Sequence, residues 1–291
     1  GKAFCLRDRC AHRGAALSAG KHAGDAVECP FHGFRYDATG RGVLVPANAR
    51  AAEVPDRFRV HAYPVHEAHG YLWIWWGERP PATIEPPRFF EDLEGFSWGR
   101  AVDPWDAHYS RVIENQLDVV HLPFVHHDTI GRGNRTLVSG PVVEWRGPDR
   151  FFVRVFNEVD AGQRPRTPAE IAPPYPAFHL DFIFPNLWQN WIADTVRVGA
   201  AFVPVDAEHT LLYLRFYQQF LPGPLGRLVA RLAMPFNLKI ARQDRRVVQT
   251  QVPKASGLKI GENLVPGDGP IVEYRRRRQE LLDAARGCGG S

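Results

Sequence analysis

Two short segments of the sequence each place a cysteine and a histidine close together. They are CAHRG, with Cys10 and His12, and CPFHG, with Cys29 and His32. Two thiolates and two imidazoles can hold a zinc ion, or a [2Fe–2S] cluster in which two histidines replace two cysteines on one iron. Each segment ends in glycine, and Pro30 lies in the second, as is typical of loops that turn tightly around a bulky cluster. The pattern therefore favours the iron–sulfur cluster over zinc.

The two segments resemble the ligand loops of Rieske [2Fe–2S] proteins, and the resemblance covers residues 5 to about 76. The ligand set that it implies is Cys10, His12, Cys29 and His32. Respiratory Rieske proteins have an additional cysteine in each loop and a serine that donates to a cluster sulfur, whereas Arg13 and Phe31 stand beside the ligands here. Fewer donors to sulfur predict a lower reduction potential, which suits an electron donor to oxygen chemistry.

A second group of polar residues lies in ENQLDVVHLPFVH, residues 114–126. At about 100° per residue, one helical face would carry Glu114, Asn115, Asp118 and His121. Pro123 would end the helix after His121 and let His126 fold back toward the same point. His127 directly follows, so that spacing alone selects His126. The plain alternative is a solvated polar face opposite an apolar one.

Two histidines need a carboxylate to complete the facial triad that binds non-haem Fe(II). The best match is Asp244 in KIARQDRRVVQTQ, because it lies within an apolar helical stripe. Burying a carboxylate there is costly unless it is paired or bound to a metal, and a buried salt bridge is the other interpretation. Weaker rivals for this role are Asp181, Asp194 and Asp206.

With both groups of residues in view, nearly the whole chain resembles Rieske non-haem iron oxygenases, the ring-hydroxylating oxygenase alpha subunits. The motif Asn-x-x-Asp-x-x-His-x-x-x-x-His falls on Asn115, Asp118, His121 and His126, and a distal Gln-Asp element falls on Gln243 and Asp244. The alpha-only branch that resembles vanillate demethylase fits best. The first Rieske strands are expected to be missing, because the chain starts at Gly1, only nine residues before Cys10.

The resemblance implies an α+β fold. An N-terminal all-β Rieske domain would span residues 1–78, and a catalytic domain with a large antiparallel sheet covered by helices (helix-grip-like) would span residues 79–291. Strand-like runs cover residues 71–77, 136–145, 151–159, 178–185, 195–205 and 210–220. Helices are predicted at 108–122, at about 224–251 with a break at Pro235, and at about 270–286. The proline-rich segment 78–90 is predicted to be a linker.

The resemblance further implies mononuclear Fe(II) on His121, His126 and Asp244, with O2 and a small organic substrate bound beside it. Electrons would come from NAD(P)H through a separate reductase, in some systems with a ferredoxin, since the chain lacks a nucleotide-binding glycine motif. A head-to-tail homotrimer would bring the cluster of one subunit to the iron of the next, bridged by Asp118. Reaction types would be hydroxylation or oxidative demethylation of an aromatic or polycyclic compound.

The composition and charge of the chain exclude a few classes of protein. The chain has 291 residues, a net charge of +4, no apolar run long enough to span a membrane and no secretory signal, so we expect a cytoplasmic protein. We expect no nucleic-acid partner, because Arg275–Arg278, the one basic run, reads as the solvated face of a helix, with an acidic docking partner as the alternative. Cys5 is expected to be a small buried residue, and Cys288 lies in a glycine-rich tail.

Two functions other than an oxygenase stay open at this point. One is an electron carrier whose larger half is a binding module, and the other is a zinc-binding structural protein. Six aromatic residues are expected either to line a substrate pocket or to fill the core: Phe178, Phe182, Phe184, Trp188, Trp191 and Phe202.

Overall fold

Short strands separated by turns build the first of two structural units, Gly1–Arg88. The computed structural model describes residues 1–77 and 88–287. The strands are β1 Cys5–Leu6, β2 Lys21–Ala23, β3 Ala26–Glu28, β4 Arg35–Asp37, β5 Gly42–Leu44, β6 Ala62–Tyr63, β7 Val65–Ala68 and β8 Tyr71–Ile74. Strands β2 to β5 form an antiparallel sheet, β1 pairs with β6, and β7 pairs with β8. The two predicted ligand cysteines pack in the core of this unit with Leu17, Phe34 and Tyr36.

One seven-stranded antiparallel sheet dominates the second unit, Phe89–Ser291. Its strands are β9 Ser97–Trp105, β10 Leu137–Trp145, β11 Arg150–Glu158, β12 His179–Ile183, β13 Leu187–Ala193, β14 Val196–Pro204 and β15 Thr210–Gln218. Their order in the sheet is β10-β11-β12-β13-β14-β15-β9. The five runs predicted as strands in this unit correspond to β10, β11, β12, β14 and β15, and the predicted fold class is confirmed.

Two strands of the sheet were not predicted. Strand β9 contains Pro104, which sequence patterns disfavour, and it is tolerated because β9 lies at an edge of the sheet. Strand β13 contains the polar pair Gln189 and Asn190, although Gln189 is fully buried. The sequence did not indicate either strand, because the position of a strand at a sheet edge and the burial of its polar side chains depend on the tertiary fold.

Five α-helices complete the described part of the second unit: α1 Tyr109–Leu117, α2 Leu122–Val125, α3 Gly223–Leu232, α4 Met234–Val248 and α5 Gly269–Gly287. The predicted break at Pro235 is confirmed, since α3 ends at Leu232 and Pro235 lies in the first turn of α4. None of the helices within residues 88–287 has the length and apolar character needed to cross a membrane.

The predicted helix at 108–122 is wrong after Leu117. Helix α1 ends at Leu117, and Asp118 has an extended backbone with φ −71° and ψ 129°. The carboxylate of Asp118 accepts hydrogen bonds from the N–H groups of Val120 (2.6 Å) and His121 (3.2 Å), which replaces helical bonding by a tight turn. Pro123 then occupies the first turn of α2, where its missing N–H costs nothing.

A buried network of ion pairs fixes α1 against α5. Glu114 pairs with Arg275 at 2.7 Å and with Arg111 at 3.2 Å, and Glu262 pairs with the same two arginines. Arg275 is only 5% exposed. The solvated-face interpretation of Arg275–Arg278 was therefore wrong for Arg275, because the sequence did not show its two carboxylate partners.

Most of the predicted pocket aromatics belong to the core of the second unit. Four of the six lie in that core, each at most 7% exposed: Phe182, Phe184, Trp188 and Phe202. Phe178 and Trp191 are partly buried, and Arg197 lies 3.2 Å from the ring centre of Trp191. Cys5 is partly buried, whereas the predicted domain boundary at 78/79, most of the predicted linker and Cys288 lie outside the described residues.

Candidate metal centres

The two predicted cluster loops have the same backbone pattern. In the first, Gly14 N–H donates to Cys10 O (2.9 Å) and Cys10 N–H donates to Ala15 O (2.8 Å). In the second, Gly33 N–H donates to Cys29 O (3.1 Å), and Cys29 N–H donates to the carbonyl of the residue after Gly33 (2.8 Å). Each cysteine is therefore held at the start of a closed loop of six residues, although the sequences within the loops differ.

Glycine is needed where each loop closes. Gly14 has φ +75° and Gly33 has φ +70°, in the left-handed region that other residues rarely adopt. A Cβ on Gly33 would also lie 3.1 Å from the side chain of Pro46. The glycines noted in the sequence thus serve the loop backbone.

Thiols and imidazoles are distributed asymmetrically around these loops. Cys10 and Cys29 are 4% and 2% exposed, whereas His12 and His32 are exposed, with ring centres 4.7 Å apart. Phe34 stacks on His12, and Phe31 lies 3.9 Å from the ring of His32. Buried sulfurs and surface imidazoles, side by side, fit a cluster whose histidine-bound iron lies nearest to solvent.

Tyr36 is a residue of this site that sequence reasoning missed. Its hydroxyl lies 3.1 Å from Cys10 Sγ and accepts a hydrogen bond from Ala11 N–H (3.2 Å). Burial raises the pKa of Tyr36, so its proton stays available for donation to the sulfur. Burial also raises the pKa of Cys29, while hydrogen bonds, led by that of Tyr36, outweigh burial and lower the pKa of Cys10.

In the second unit, three of the predicted ligands converge. His121 Nε2 and His126 Nε2 lie 3.3 Å and 2.9 Å from the same oxygen of Asp244. One ligand atom from each residue lies within 4.8 Å of the others. His121 and His126 flank α2, whereas Asp244 comes from the buried face of α4. His126, and not the exposed His127, reaches the group, as spacing predicted.

Charge explains why these residues stay together. Burial opposes ionisation of Asp244, yet His121 and His126 outweigh it and lower the pKa of Asp244 to about 2. Burial likewise opposes protonation of His121, but Asp118 and Asp244 raise its pKa to about 9. A buried carboxylate is stable only beside a positive charge. Asp244, with two imidazole nitrogens turned toward it, therefore fits a site for divalent iron.

Amide side chains surround the carboxylate. Asn115 Nδ2 and Gln116 Nε2 each lie 3.4 Å from a different oxygen of Asp244, and Gln116 also donates to Asn115 Oδ1 (2.9 Å). Asp118 Oδ1 lies 3.7 Å from His121 Nδ1. Gln116 was missed because nothing in its type distinguishes it from a surface glutamine.

Several residues considered from the sequence lie elsewhere. Glu114 faces the buried arginines and not the histidines, which corrects the shared helical face expected for it. Asp181 forms a two-bond ion pair with Arg150, at 3.0 and 2.6 Å. Asp194 and Asp206 are exposed. The rival carboxylates are therefore outside the group.

Both parts of the chain match known protein families. Residues 1–64 match the Rieske [2Fe-2S] domain, and residues 105–284 match the vanillate O-demethylase oxygenase C-terminal domain. The chain belongs to the vanillate O-demethylase oxygenase family. This confirms the resemblance to Rieske non-haem iron oxygenases and to their alpha-only branch.

Individual relatives agree with the family. The chain is 28% identical to methylxanthine N1-demethylase NdmA of Pseudomonas putida, over 96% of this chain and 77% of that protein. It is 30% identical to the iron-sulfur subunit TsaM1 of the toluene-4-sulfonate monooxygenase system of Comamonas testosteroni, over 50% of this chain and 41% of that protein. The chain therefore spans less than half the length of some relatives that it matches.

A solved structure of NdmA from Pseudomonas putida has the same fold. It superimposes with a TM-score of 0.73 at 24% identity, over 98% of this chain and 80% of the other. At that identity the likeness concerns the fold alone.

Proposed function

We propose that the chain is the oxygenase component of a Rieske-type system. It uses O2 and electrons supplied by a reductase to hydroxylate or oxidatively demethylate an organic substrate. The [2Fe–2S] cluster is held by Cys10, His12, Cys29 and His32. Mononuclear Fe(II) is held by His121, His126 and Asp244.

One observation carries this proposal: the convergence of two imidazoles and a carboxylate at a buried position. The alternative is a Rieske electron-transfer protein with a non-catalytic ligand-binding domain. Such a domain would have no need of a buried Asp244 between His121 and His126, because burying charged groups costs free energy that apolar packing would not cost. The convergence therefore favours the oxygenase.

The residues around the carboxylate have separable roles. Fe(II) with two imidazoles and one carboxylate keeps coordination positions open for O2. Asn115 and Gln116 hold the carboxylate of Asp244 in place from the side of α1. Asp118 holds the backbone of His121 through its turn and presents a negative charge near His121 Nδ1.

An aromatic or polycyclic substrate is supported by the relatives, which are named for vanillate, methylxanthine and toluene-4-sulfonate. A separate NAD(P)H-dependent reductase, with or without a ferredoxin, supplies the electrons one at a time. The relative named as one subunit of a monooxygenase system supports a source of electrons outside this chain.

A homotrimer completes the proposal, with Asp118 bridging the cluster of one subunit and the iron of its neighbour. Its carboxylate is partly exposed, at 25%, as a residue that contacts another subunit requires. In Asp118→Asn we expect both metal centres to be retained, with turnover lowered about 10- to 100-fold because the orienting charge is lost. The exposed Asp194→Asn is the matched control and should behave as the wild type.

The measurement is product formation from a panel of aromatic methyl ethers and N-methyl heterocycles, with O2, NADH and a Rieske-system reductase. Wild-type protein should release hydroxylated or demethylated product. Full activity in Asp118→Asn would refute the bridge. If the wild type accepted electrons into its cluster but converted none of the panel, the electron-transfer alternative would be preferred.

A further inference from the structure

Gln243 contacts three partners between the protein surface and a proposed iron ligand. Its Oε1 lies 3.0 Å from His126 Nδ1 and 2.9 Å from Thr129 Oγ1, and its Nε2 lies 2.6 Å from Asp128 Oδ1. His126 is 2% exposed, whereas the Asp128 side chain is 46% exposed. Gln243 and Asp128 border an open pocket of about 460 Å³. The contacts thus run from solvent to a buried imidazole.

The chemistry of each group fixes the direction of these hydrogen bonds. An ionised carboxylate only accepts, so the Gln243 group facing Asp128 must be its NH2. The carbonyl oxygen of Gln243 then faces His126, and it can only accept. His126 Nδ1 must therefore carry a proton, so Nε2 is the nitrogen whose lone pair can serve a metal ion bound beside Asp244.

We infer that Asp128 and Gln243 form a relay that selects the tautomer of His126. The surface carboxylate orients the amide, the amide orients the imidazole, and the imidazole is left with the nitrogen that a metal requires. Gln243 and Asp128 are positioning residues, because they act through His126. This inference rests on the proposed iron site, and it assigns a role to residues outside the ligand set.

His121 has no comparable partner. The nearest carboxylate oxygen, on Asp118, lies 3.7 Å from His121 Nδ1, beyond hydrogen-bonding distance. His121 Nδ1 is also buried without a hydrogen-bond partner in the described part of the chain. Of the two histidines, His126 is therefore the one whose tautomer is set by a direct hydrogen bond.

The test measures Co(II) affinity by calorimetric titration of protein whose cluster is intact and whose mononuclear metal has been removed by a chelator. Gln243→Leu removes the acceptor, and we expect Co(II) affinity to fall about 10- to 100-fold. Gln279→Leu removes an amide on α5 that donates to Asp283 of the same helix, and its affinity should equal that of the wild type. Thermal unfolding shows whether each variant is folded.

A pair of substitutions that moves the carboxylate from residue 128 to residue 243 distinguishes the relay from a simple packing role of Gln243. Gln243→Glu keeps the acceptor for His126 but places a second carboxylate against Asp128, so its Co(II) affinity should fall by about tenfold. Adding Asp128→Asn supplies an NH2 donor to the new carboxylate, and the double variant should recover to within about threefold of the wild type. A packing role predicts no recovery.

Two results would overturn the relay: wild-type affinity in Gln243→Leu, or a double variant no better than Gln243→Glu alone. Asp244→Ala distinguishes this failure from failure of the proposed function. If Asp244→Ala bound Co(II) as tightly as the wild type, the iron site itself would be wrong, and the relay with it. If Asp244→Ala lost binding while Gln243→Leu did not, only the relay would be refuted.

Discussion

At the scale of single residues, the most informative contact in the first unit is the hydrogen bond between Tyr36 and Cys10. The backbone N–H of Ala11 already donates to the tyrosine oxygen, so the tyrosine proton is directed to the sulfur. A donor to a ligand sulfur stabilises the reduced cluster, because that state carries more negative charge.

Tyr36→Phe should therefore lower the reduction potential of the cluster. Loss of about 1 kcal/mol of differential hydrogen bonding corresponds to about 40 mV for one electron. Protein-film voltammetry measures the shift. The control is Tyr63→Phe, whose ring stacks on Trp76, and it should leave the potential unchanged. An unchanged or raised potential in Tyr36→Phe would contradict a donor role.

The sequence revealed the residues whose type is rare and missed those whose type is common. Cys10, His12, Cys29 and His32 stand out because a chain seldom repeats thiol–imidazole pairs beside glycine. Tyr36 and Gln116 gain their roles from partners far along the chain, since each bonds to a residue at least 26 positions away. Contacts between residues so far apart leave no pattern in the local sequence.

At the scale of elements, strong periodicity was a reliable guide and turn chemistry was not. The predicted strand runs in the second unit were found, and Pro235 was correctly read as a helix break. Pro123 was assigned to the end of α1, whereas the carboxylate of Asp118 ends the regular bonding five residues earlier. A side-chain hydrogen bond to the backbone overrode the 3.6-residue period.

The attachment of α1 to α5 depends on buried charge. Glu114 is 4% exposed and compensates Arg111 and Arg275, which are 1% and 5% exposed. Because α1 also carries Asn115 and Gln116, this network holds the helix that contacts Asp244.

Glu114→Gln should lower the free energy of unfolding by about 3 kcal/mol, because two buried arginines would then share the single carboxylate of Glu262. Glu208→Gln removes a carboxylate from the exposed pair with Lys254 and should cost less than about 1 kcal/mol. Urea unfolding followed by circular dichroism compares the two variants. Equal losses would show that the buried network does not stabilise the helix pair.

At the scale of the whole molecule, one polypeptide contains two units with different chemistry. The first presents buried sulfurs beside exposed imidazoles, and the second buries a carboxylate between two imidazoles. Family membership was predictable because both ligand motifs place their residues close together in the sequence. Substrate choice was not, since the aromatic residues proposed as pocket lining turned out mostly to be core.

The proposed function requires one polypeptide to hold two iron centres. Iron and acid-labile sulfide analysis of the purified protein tests it most directly, with Asp244→Ala as the matched variant. We expect about three irons and two sulfides per wild-type chain, and about two irons with unchanged sulfide in Asp244→Ala. Two irons and two sulfides in both proteins would contradict the claim, because the histidines and the aspartate would then hold no iron.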